Sequence, residues 1–123
     1  MIMGLAGEGL CDKRLMFGKR HYPEGYGNTR FYTKRVILLV RNPLDAITSL
    51  FNMVCTGSHN YSLDPEDFKK FSTHWKDFVT QDIGVWKDFH EFWINANIPV
   101  HIIRFEDIVK TPEPILKSLM EFI

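Results

Sequence analysis

The sequence has no excess of charge of either sign, and this balance narrows the classes of partner. Fifteen basic residues are matched by fifteen acidic ones, so the formal net charge at pH 7 is zero. General attraction to nucleic acid or to an anionic membrane surface needs a basic surplus that this chain lacks. Any anion site in the protein therefore has to be local.

Cysteines and long apolar runs are also scarce. The two cysteines, Cys11 and Cys55, have no metal-binding spacing, and two distant cysteines do not make a disulfide framework. No apolar run approaches the length of a transmembrane helix, and the start MIMGLAGEGL lacks the basic region of a signal peptide. The compartment stays open: the Golgi lumen or membrane if an anchor precedes the chain, and the cytoplasm otherwise.

A phosphate loop of the Walker type is absent as well. The glycines of G-L-A-G-E-G, at residues 4–9, have no strand before them and no Lys-Ser or Lys-Thr after them. We interpret residues 1–13 as a loose N-terminal segment and residues 14–123 as one partial domain. A hydrophobic content of 45% in 123 residues is sufficient for a globular core.

What the chain does contain is an apolar strand that runs into an arginine next to a helix start. The run Val36–Val40 is apolar throughout, which is typical of a strand covered on both faces in a parallel sheet. Asn42 is a good N-cap, and Pro43 suits the first helical position. A helix is predicted from there to about Val54, with these apolar residues at helical spacing: Leu44, Ile47, Leu50, Phe51 and Val54.

Arg41 therefore falls at the carboxyl end of a strand, where open α/β sheets bind ligands. Free N–H groups and the helix dipole favour an anion there, and the planar guanidinium matches phosphate. Ser49 lies on the Asp45 side of the predicted helix, and its hydroxyl could donate to the same anion. The pattern predicts a phosphate site at Arg41 and Ser49. The alternative is an ordinary capped turn, in which Arg41 is solvated or paired with Asp45.

Two aromatic-rich amphipathic segments follow. The first is capped by Asp64 and places these residues at helical spacing: Phe68, Phe71, Trp75, Phe78 and Val79. The second begins after Gly84, which we expect to interrupt the helix, and carries Val85, Trp86, Phe89, Phe92 and Trp93. Such spacing indicates core packing rather than a stacking platform for bases.

Two further strands and a last helix complete the pattern. Strands are predicted at residues 15–17 and at Val100–Arg104, and residues 105–107, after the latter, lead to a turn. The last helix is predicted to begin at Thr111, and four of its residues are expected to face the core: Ile115, Leu116, Leu119 and Phe122. The alternation implies an α/β fold with a parallel sheet flanked by helices. Three strands make a thin sheet, so we expect part of a larger domain with exposed apolar surface.

Three short motifs occur together: K-x-H-x-P at residues 19–23, R-N-P-x-D-x-x-x-S at residues 41–49 and R-F-E-D-I-x-K-x-P at residues 104–112. In this order they resemble the sulfotransferase family, and FNMVCTGSHN is closest in style to the sulfotransferases related to the WSC-domain-containing group. The resemblance implies a partial P-loop-kinase-like three-layer fold. It also implies 3'-phosphoadenosine 5'-phosphosulfate as the co-substrate, without a metal, and an acceptor hydroxyl or amine, for example on a carbohydrate.

The resemblance also assigns roles to residues. The arginine and serine of the second motif hold the 3'-phosphate in the family, which implies this role for Arg41 and Ser49. The histidine and lysine of the first motif act as general base and at the transferring group in cytosolic members, which implies catalytic roles for His21 and Lys19. A histidine suits proton removal near neutral pH, and a cation suits the charge that develops on the transferred group.

The chain departs from the family pattern in ways that keep other readings open. The glycine-rich loop for the 5'-phosphosulfate has no counterpart, and Phe105 stands where many members have tyrosine. Activity of these 123 residues alone is therefore left undecided. One alternative is a phosphoryl transferase of related fold, which would need a Walker lysine and a magnesium ligand. The other is a non-catalytic module that keeps only nucleotide-phosphate binding.

Overall fold

The computed structural model describes residues 33–123 and the isolated Gly18. The described chain forms two strands and five helices: β1 (Val36–Val40), α1 (Pro43–Thr56), α2 (Pro65–Lys70), α3 (Ser72–Ile94), β2 (Val100–Arg104), α4 (Phe105–Lys110) and α5 (Pro112–Phe122). None of these helices is long and apolar enough to span a membrane. The strand predicted at residues 15–17 and the candidate catalytic residues Lys19 and His21 lie outside the described residues.

Strands β1 and β2 form a two-stranded parallel sheet, in which Val36 pairs with Val100 and Val40 with Arg104. Both strands have the predicted bounds, and the predicted parallel pairing is confirmed. Because parallel strands end at the same edge of the sheet, Arg41 and Phe105 begin the two segments that leave that edge side by side. Helices flank this sheet, with α3 packed on β1 and with α4 and α5 packed on β2.

The sheet leaves apolar side chains exposed, which agrees with the expected exposed apolar surface but not with the expected cover on both faces of β1. Leu38 is 1% exposed, but Ile37 and Leu39, which point to the opposite face of β1, are 37% and 51% exposed. On β2 the pattern is reversed, since Ile103 is buried and Ile102 is 52% exposed. Cover on both faces of β1 is therefore wrong for the described residues, because Val36, Leu38 and Val40 on one face are buried or half-buried whereas Ile37 and Leu39 on the other are exposed.

Helix α1 begins where the sequence predicts. The side-chain Oδ1 of Asn42 accepts a hydrogen bond from the N–H of Leu44 at 3.0 Å, and Pro43 follows the cap. The helix ends at Thr56, because Gly57 adopts the left-handed conformation, with φ of 66°. Its core face is narrower than expected: Ile47 and Phe51 are buried, whereas three other predicted core residues are exposed, namely Leu44, Leu50 and Val54.

An aromatic cluster packs α1 against α2 and α3. The ring centroid of Phe51 lies 5.0 Å from that of Trp75, 5.2 Å from Phe78 and 5.7 Å from Phe68. The pairs of Phe51 with Trp75 and Phe78 are edge-to-face, and such pairs contribute about 0.5–1.5 kcal/mol each beyond the area they bury. These aromatics form the core, as predicted. Phe71 does not join them and is 39% exposed, because it lies at the junction between α2 and α3.

The predicted break at Gly84 is wrong, since α3 runs without interruption from Ser72 to Ile94. A glycine in a helix interior costs roughly 1 kcal/mol relative to alanine, which is less than aromatic packing on both sides of it contributes. The turn predicted to follow residues 105–107 is also wrong, because helix α4 runs from Phe105 to Lys110. Its first turn carries Glu106 and Asp107, whose charges suit the positive end of a helix dipole.

Helix α5 is held against the start of the sheet. The guanidinium of Arg35 donates to the carbonyl oxygen of Phe122 and lies 5.6 Å from the centroid of its ring. The imidazole of His101 stacks on the same ring at 5.0 Å. Ile115, Leu119 and Phe122 are half-buried as predicted, but Leu116 is 52% exposed and does not face the core.

Candidate functional site

A cleft of about 320 Å³ opens beside α1 at the carboxyl edge of the sheet. One wall consists of Arg41 and of a stripe of α1 at helical spacing, namely Asp45, Thr48, Ser49 and Asn52. The other wall belongs to the loop that follows α1, through Ser58, His59, Tyr61 and Ser62. The structure thus brings the two predicted anion ligands, Arg41 and Ser49, into one cleft.

Hydrogen bonds back to α1 hold the loop wall in place. The N–H of Leu63 donates to Oδ1 of Asn52 at 2.8 Å, which fixes the far end of the loop. The N–H of Ser58 donates to Oγ1 of Thr56 at 3.2 Å, which fixes the near end. Since both ends are bonded to the same helix, the residues between them are kept over the polar stripe of α1.

The guanidinium of Arg41 packs on the ring of Phe105, with 4.8 Å between its central carbon and the ring centroid. A cation–π contact of this kind is worth about 0.5–1 kcal/mol at an exposed site. The guanidinium of Arg41 makes no ion pair or hydrogen bond with any residue in the range 33–123, so Asp45 is not its ion-pair partner. The ring therefore orients the cation and leaves its N–H groups open to a ligand.

The N-terminus of α1 already holds an anion that the protein itself supplies. Oε1 of Glu106 accepts the backbone N–H of Asn42 at 2.8 Å, and Oε2 lies 3.9 Å from Nε of Arg104. The hydrogen bond from Asn42 is the main reason that the pKa of Glu106 lies below its ordinary value, and the charges of Arg104 and Arg41 lower this pKa further.

This contact changes the predicted geometry of the anion site. The sequence places a ligand anion on the first N–H groups of α1, but the N–H of Asn42 is taken by Glu106 and that of Leu44 by the Asn42 cap. The open donors lie further along, on the side chains that line the cleft. An anion there would be bound by side chains more than by the helix terminus.

Donors without partners dominate the cleft. Within the described part of the chain, no hydrogen bond engages the guanidinium of Arg41 or the hydroxyls of Ser49, Tyr61 and Ser62. The side-chain oxygen of Asn52 accepts the N–H of Leu63 in the loop, which leaves the amide nitrogen of Asn52 as a donor. The one carboxylate that the described residues contribute to the lining is that of Asp45. Because phosphate and sulfate oxygens only accept hydrogen bonds, this donor set fits an oxyanion.

Sequence reasoning missed several residues of the site. Asn52 follows Ser49 by three positions, so helical spacing could have placed it on the same stripe. His59 and Tyr61 belong to the polar stretch TGSHNYS, which the sequence alone indicates only as a loop between two helices. Glu106 lies inside the third motif, but its partner Asn42 is 64 positions away, and no local pattern connects the two.

Comparison with known proteins shows the family. A model described as the sulfotransferase family matches residues 31–123, which contain Arg41, Ser49 and the whole third motif. The chain belongs to the sulfotransferase family. The match begins after Lys19 and His21, so the two candidate catalytic residues lie outside it.

Three relatives of this member of the sulfotransferase family are insect proteins named as WSCD family members. A WSCD family member of Drosophila pseudoobscura pseudoobscura is 27% identical over 122 residues, covering 98% of this chain and 38% of the relative. A WSCD family member of Drosophila melanogaster is 26% identical with the same coverage. A WSCD family member of Aedes aegypti is 29% identical over 91 residues, covering 72% of this chain and 28% of the relative.

These matches confirm the predicted resemblance to sulfotransferases of that group. The chain spans 38% of the length of the first two relatives. No solved structure matches it significantly.

Proposed function

We propose that the cleft binds the 3'-phosphate of 3'-phosphoadenosine 5'-phosphosulfate and that the protein transfers the sulfuryl group to an acceptor hydroxyl or amine. Members of the sulfotransferase family generally use this co-substrate. The observation that carries the proposal is the position of Arg41 and Ser49. They come from one sequence motif and line one donor-rich cleft at the carboxyl edge of a parallel sheet.

The lining of the cleft suits a phosphate monoester. Arg41 can donate two parallel hydrogen bonds to a pair of phosphate oxygens, and Ser49 and Asn52 can each add a neutral one. Small-molecule sites typically measure roughly 300–1,000 Å³. At about 320 Å³ the cleft would take the phosphate-bearing end of a nucleotide rather than the whole molecule.

In the proposed reaction, the acceptor oxygen or nitrogen attacks sulfur in line with the leaving group. The bond between sulfur and the bridging phosphate oxygen breaks, and adenosine 3',5'-bisphosphate departs. The acceptor proton passes to a general base, a role that the family resemblance gives to His21, while Lys19 would balance the charge on the transferred group. We also propose that the complete domain has a P-loop-kinase-like fold of three layers. The acceptor in this proposal is a carbohydrate or another small hydroxyl compound.

Calorimetric titration of the full chain with adenosine 3',5'-bisphosphate tests the phosphate site. Arg41→Ala should weaken binding about ten- to a hundredfold, because a charge-assisted contact contributes about 1.5–3 kcal/mol. Ser49→Ala should cost less, since it removes one neutral donor. Lys117→Ala is the control variant, because Lys117 is exposed on α5 away from the cleft, and it should bind like the wild type.

Adenosine 5'-monophosphate is the control ligand, because it lacks the 3'-phosphate and should be insensitive to Arg41→Ala. Equal losses for both nucleotides would show that Arg41 does not contact the 3'-phosphate. No loss for either would leave Arg41 a structural role at the end of β1. Binding of the bisphosphate without sulfuryl transfer would support the alternative of a non-catalytic module.

A further inference from the structure

Among the residues that the structure describes, the fixed charges lining the cleft do not neutralise a phosphate. Arg41 contributes one positive charge and Asp45 one negative charge, so the two cancel. A phosphate monoester carries about −1.5 to −2 charges at pH 7. Most of the other lining side chains are hydroxyls or an amide, which can orient an anion but cannot balance its charge. The lining includes one more group that can become cationic, the imidazole of His59.

His59 has no structural role that would occupy its imidazole. Each of the other three histidines in residues 33–123 lies against an aromatic ring: His74 on Phe71 at 6.2 Å, His90 on Trp86 at 4.0 Å and His101 on Phe122 at 5.0 Å. His59 makes no hydrogen bond, ion pair or ring contact with a described residue. Its position follows from the loop, whose two ends are bonded to α1 at Thr56 and Asn52.

We propose that His59 is the second cationic ligand of the 3'-phosphate and that its protonation strengthens nucleotide binding. The inference rests on the proposed function, because it takes the phosphate to lie between Arg41 and the loop. Histidine is the side chain whose charge ordinarily changes between about pH 5 and 8, so a dianion and a proton on the imidazole would bind cooperatively. In the described part of the chain, the other charged or titratable groups lining the cleft are Arg41, Asp45 and Tyr61.

The test is titration with adenosine 3',5'-bisphosphate at about pH 6 and at about pH 8.5, which bracket the ordinary titration of histidine. His59→Gln keeps a hydrogen-bonding group but cannot be charged, whereas His59→Lys carries a charge at both pH values. His59→Gln should bind about three- to tenfold more weakly than the wild type at the lower pH, and within about twofold of it at the higher pH. His59→Lys should bind at least as tightly as the wild type at the higher pH.

The ratio of wild-type and variant affinities is compared at each pH because the phosphate itself titrates near pH 6. His74→Gln is the matched control: His74 is an exposed histidine on α3 that does not line the cleft, and its variant should follow the wild type at both pH values. A urea-unfolding midpoint for each variant shows whether the fold is intact.

The outcomes separate this inference from the proposed function. Wild-type affinity of His59→Gln at both pH values, together with weak binding by Arg41→Ala, would overturn the role of His59 and leave the phosphate site standing. A loss in His59→Gln that is equal at both pH values would also overturn it, because the contact would not depend on charge. If the wild type does not bind the bisphosphate at all, both proposals fall.

Discussion

The backbone N–H of Asn42 donates a 2.8 Å hydrogen bond to Oε1 of Glu106, across 64 positions of the chain. Asn42 follows β1 and Glu106 lies in the helix that follows β2, so this bond joins the two segments that leave the carboxyl edge of the sheet. It places the loop that carries Arg41 beside the helix that carries Phe105. It also uses an N–H group that could otherwise bind a ligand.

Glu106→Gln should lower the free energy of unfolding at pH 7. The folded-state pKa of Glu106 is depressed, mainly by the Asn42 hydrogen bond, so the ionised carboxylate stabilises the fold. This contribution is complete above the ordinary glutamate pKa of about 4.3 and is lost as pH falls through the lower folded-state pKa. Urea unfolding over a pH series should show the wild type and the variant converging in acid.

Asp88→Asn is the control for this experiment, because Asp88 is exposed in the interior of α3, away from both helix ends, and has no ion pair within the described chain. Its stability should follow that of the wild type at neutral pH. A stability difference for Glu106→Gln that grows in acid would contradict the assigned hydrogen bond.

Phe105→Leu should weaken binding of adenosine 3',5'-bisphosphate about two- to fivefold, since it removes a cation–π contact of about 0.5–1 kcal/mol that orients Arg41. In the Arg41→Ala background the same substitution should have no further effect, because the ring acts through the guanidinium. Phe105→Tyr keeps the aromatic face and should retain the affinity. Additive losses in the double variant would mean that Phe105 contacts the nucleotide directly.

Asp45→Asn should strengthen binding of the bisphosphate about two- to tenfold at low ionic strength. The substitution removes the one carboxylate in the lining of the cleft, and the gain should shrink at high salt because exposed charges are screened. Asp88→Asn, on the exposed surface of α3, is the control and should leave the affinity unchanged. Weaker binding by Asp45→Asn would show that the carboxylate positions the ligand or one of its donors.

Gly84→Ala should raise the free energy of unfolding by roughly 0.5–1 kcal/mol, because alanine is favoured over glycine inside a helix. Gly57→Ala should lower it by roughly 1–2 kcal/mol, because a Cβ is unfavourable in the left-handed conformation. A Cβ at either position would meet nothing within 4 Å, so the two substitutions differ in backbone conformation rather than in packing. Urea unfolding measures both, and destabilisation by Gly84→Ala would contradict a continuous α3.

Burial was the feature that the sequence predicted least well. Leu44, Leu50, Val54 and Leu116 all have helical spacing, yet all are exposed. Periodicity shows which residues share a face of a helix, but whether another element covers the whole of that face depends on packing. The same reason explains the exposed half of β1, since an apolar run does not specify how many helices pack on it.

Features that depend on neighbouring residues can be read from the local sequence. Both strands, the Asn42 cap, Pro43 and the shared stripe of Arg41, Asp45 and Ser49 follow from residues a few positions apart, because local hydrogen bonds and helical spacing act over that range. Which donors stay open to a ligand depends instead on contacts between distant parts of the chain. Glu106 occupies one N–H group, Phe105 orients Arg41, and a loop bonded to α1 brings His59 to the cleft, because these contacts join residues that only folding brings together.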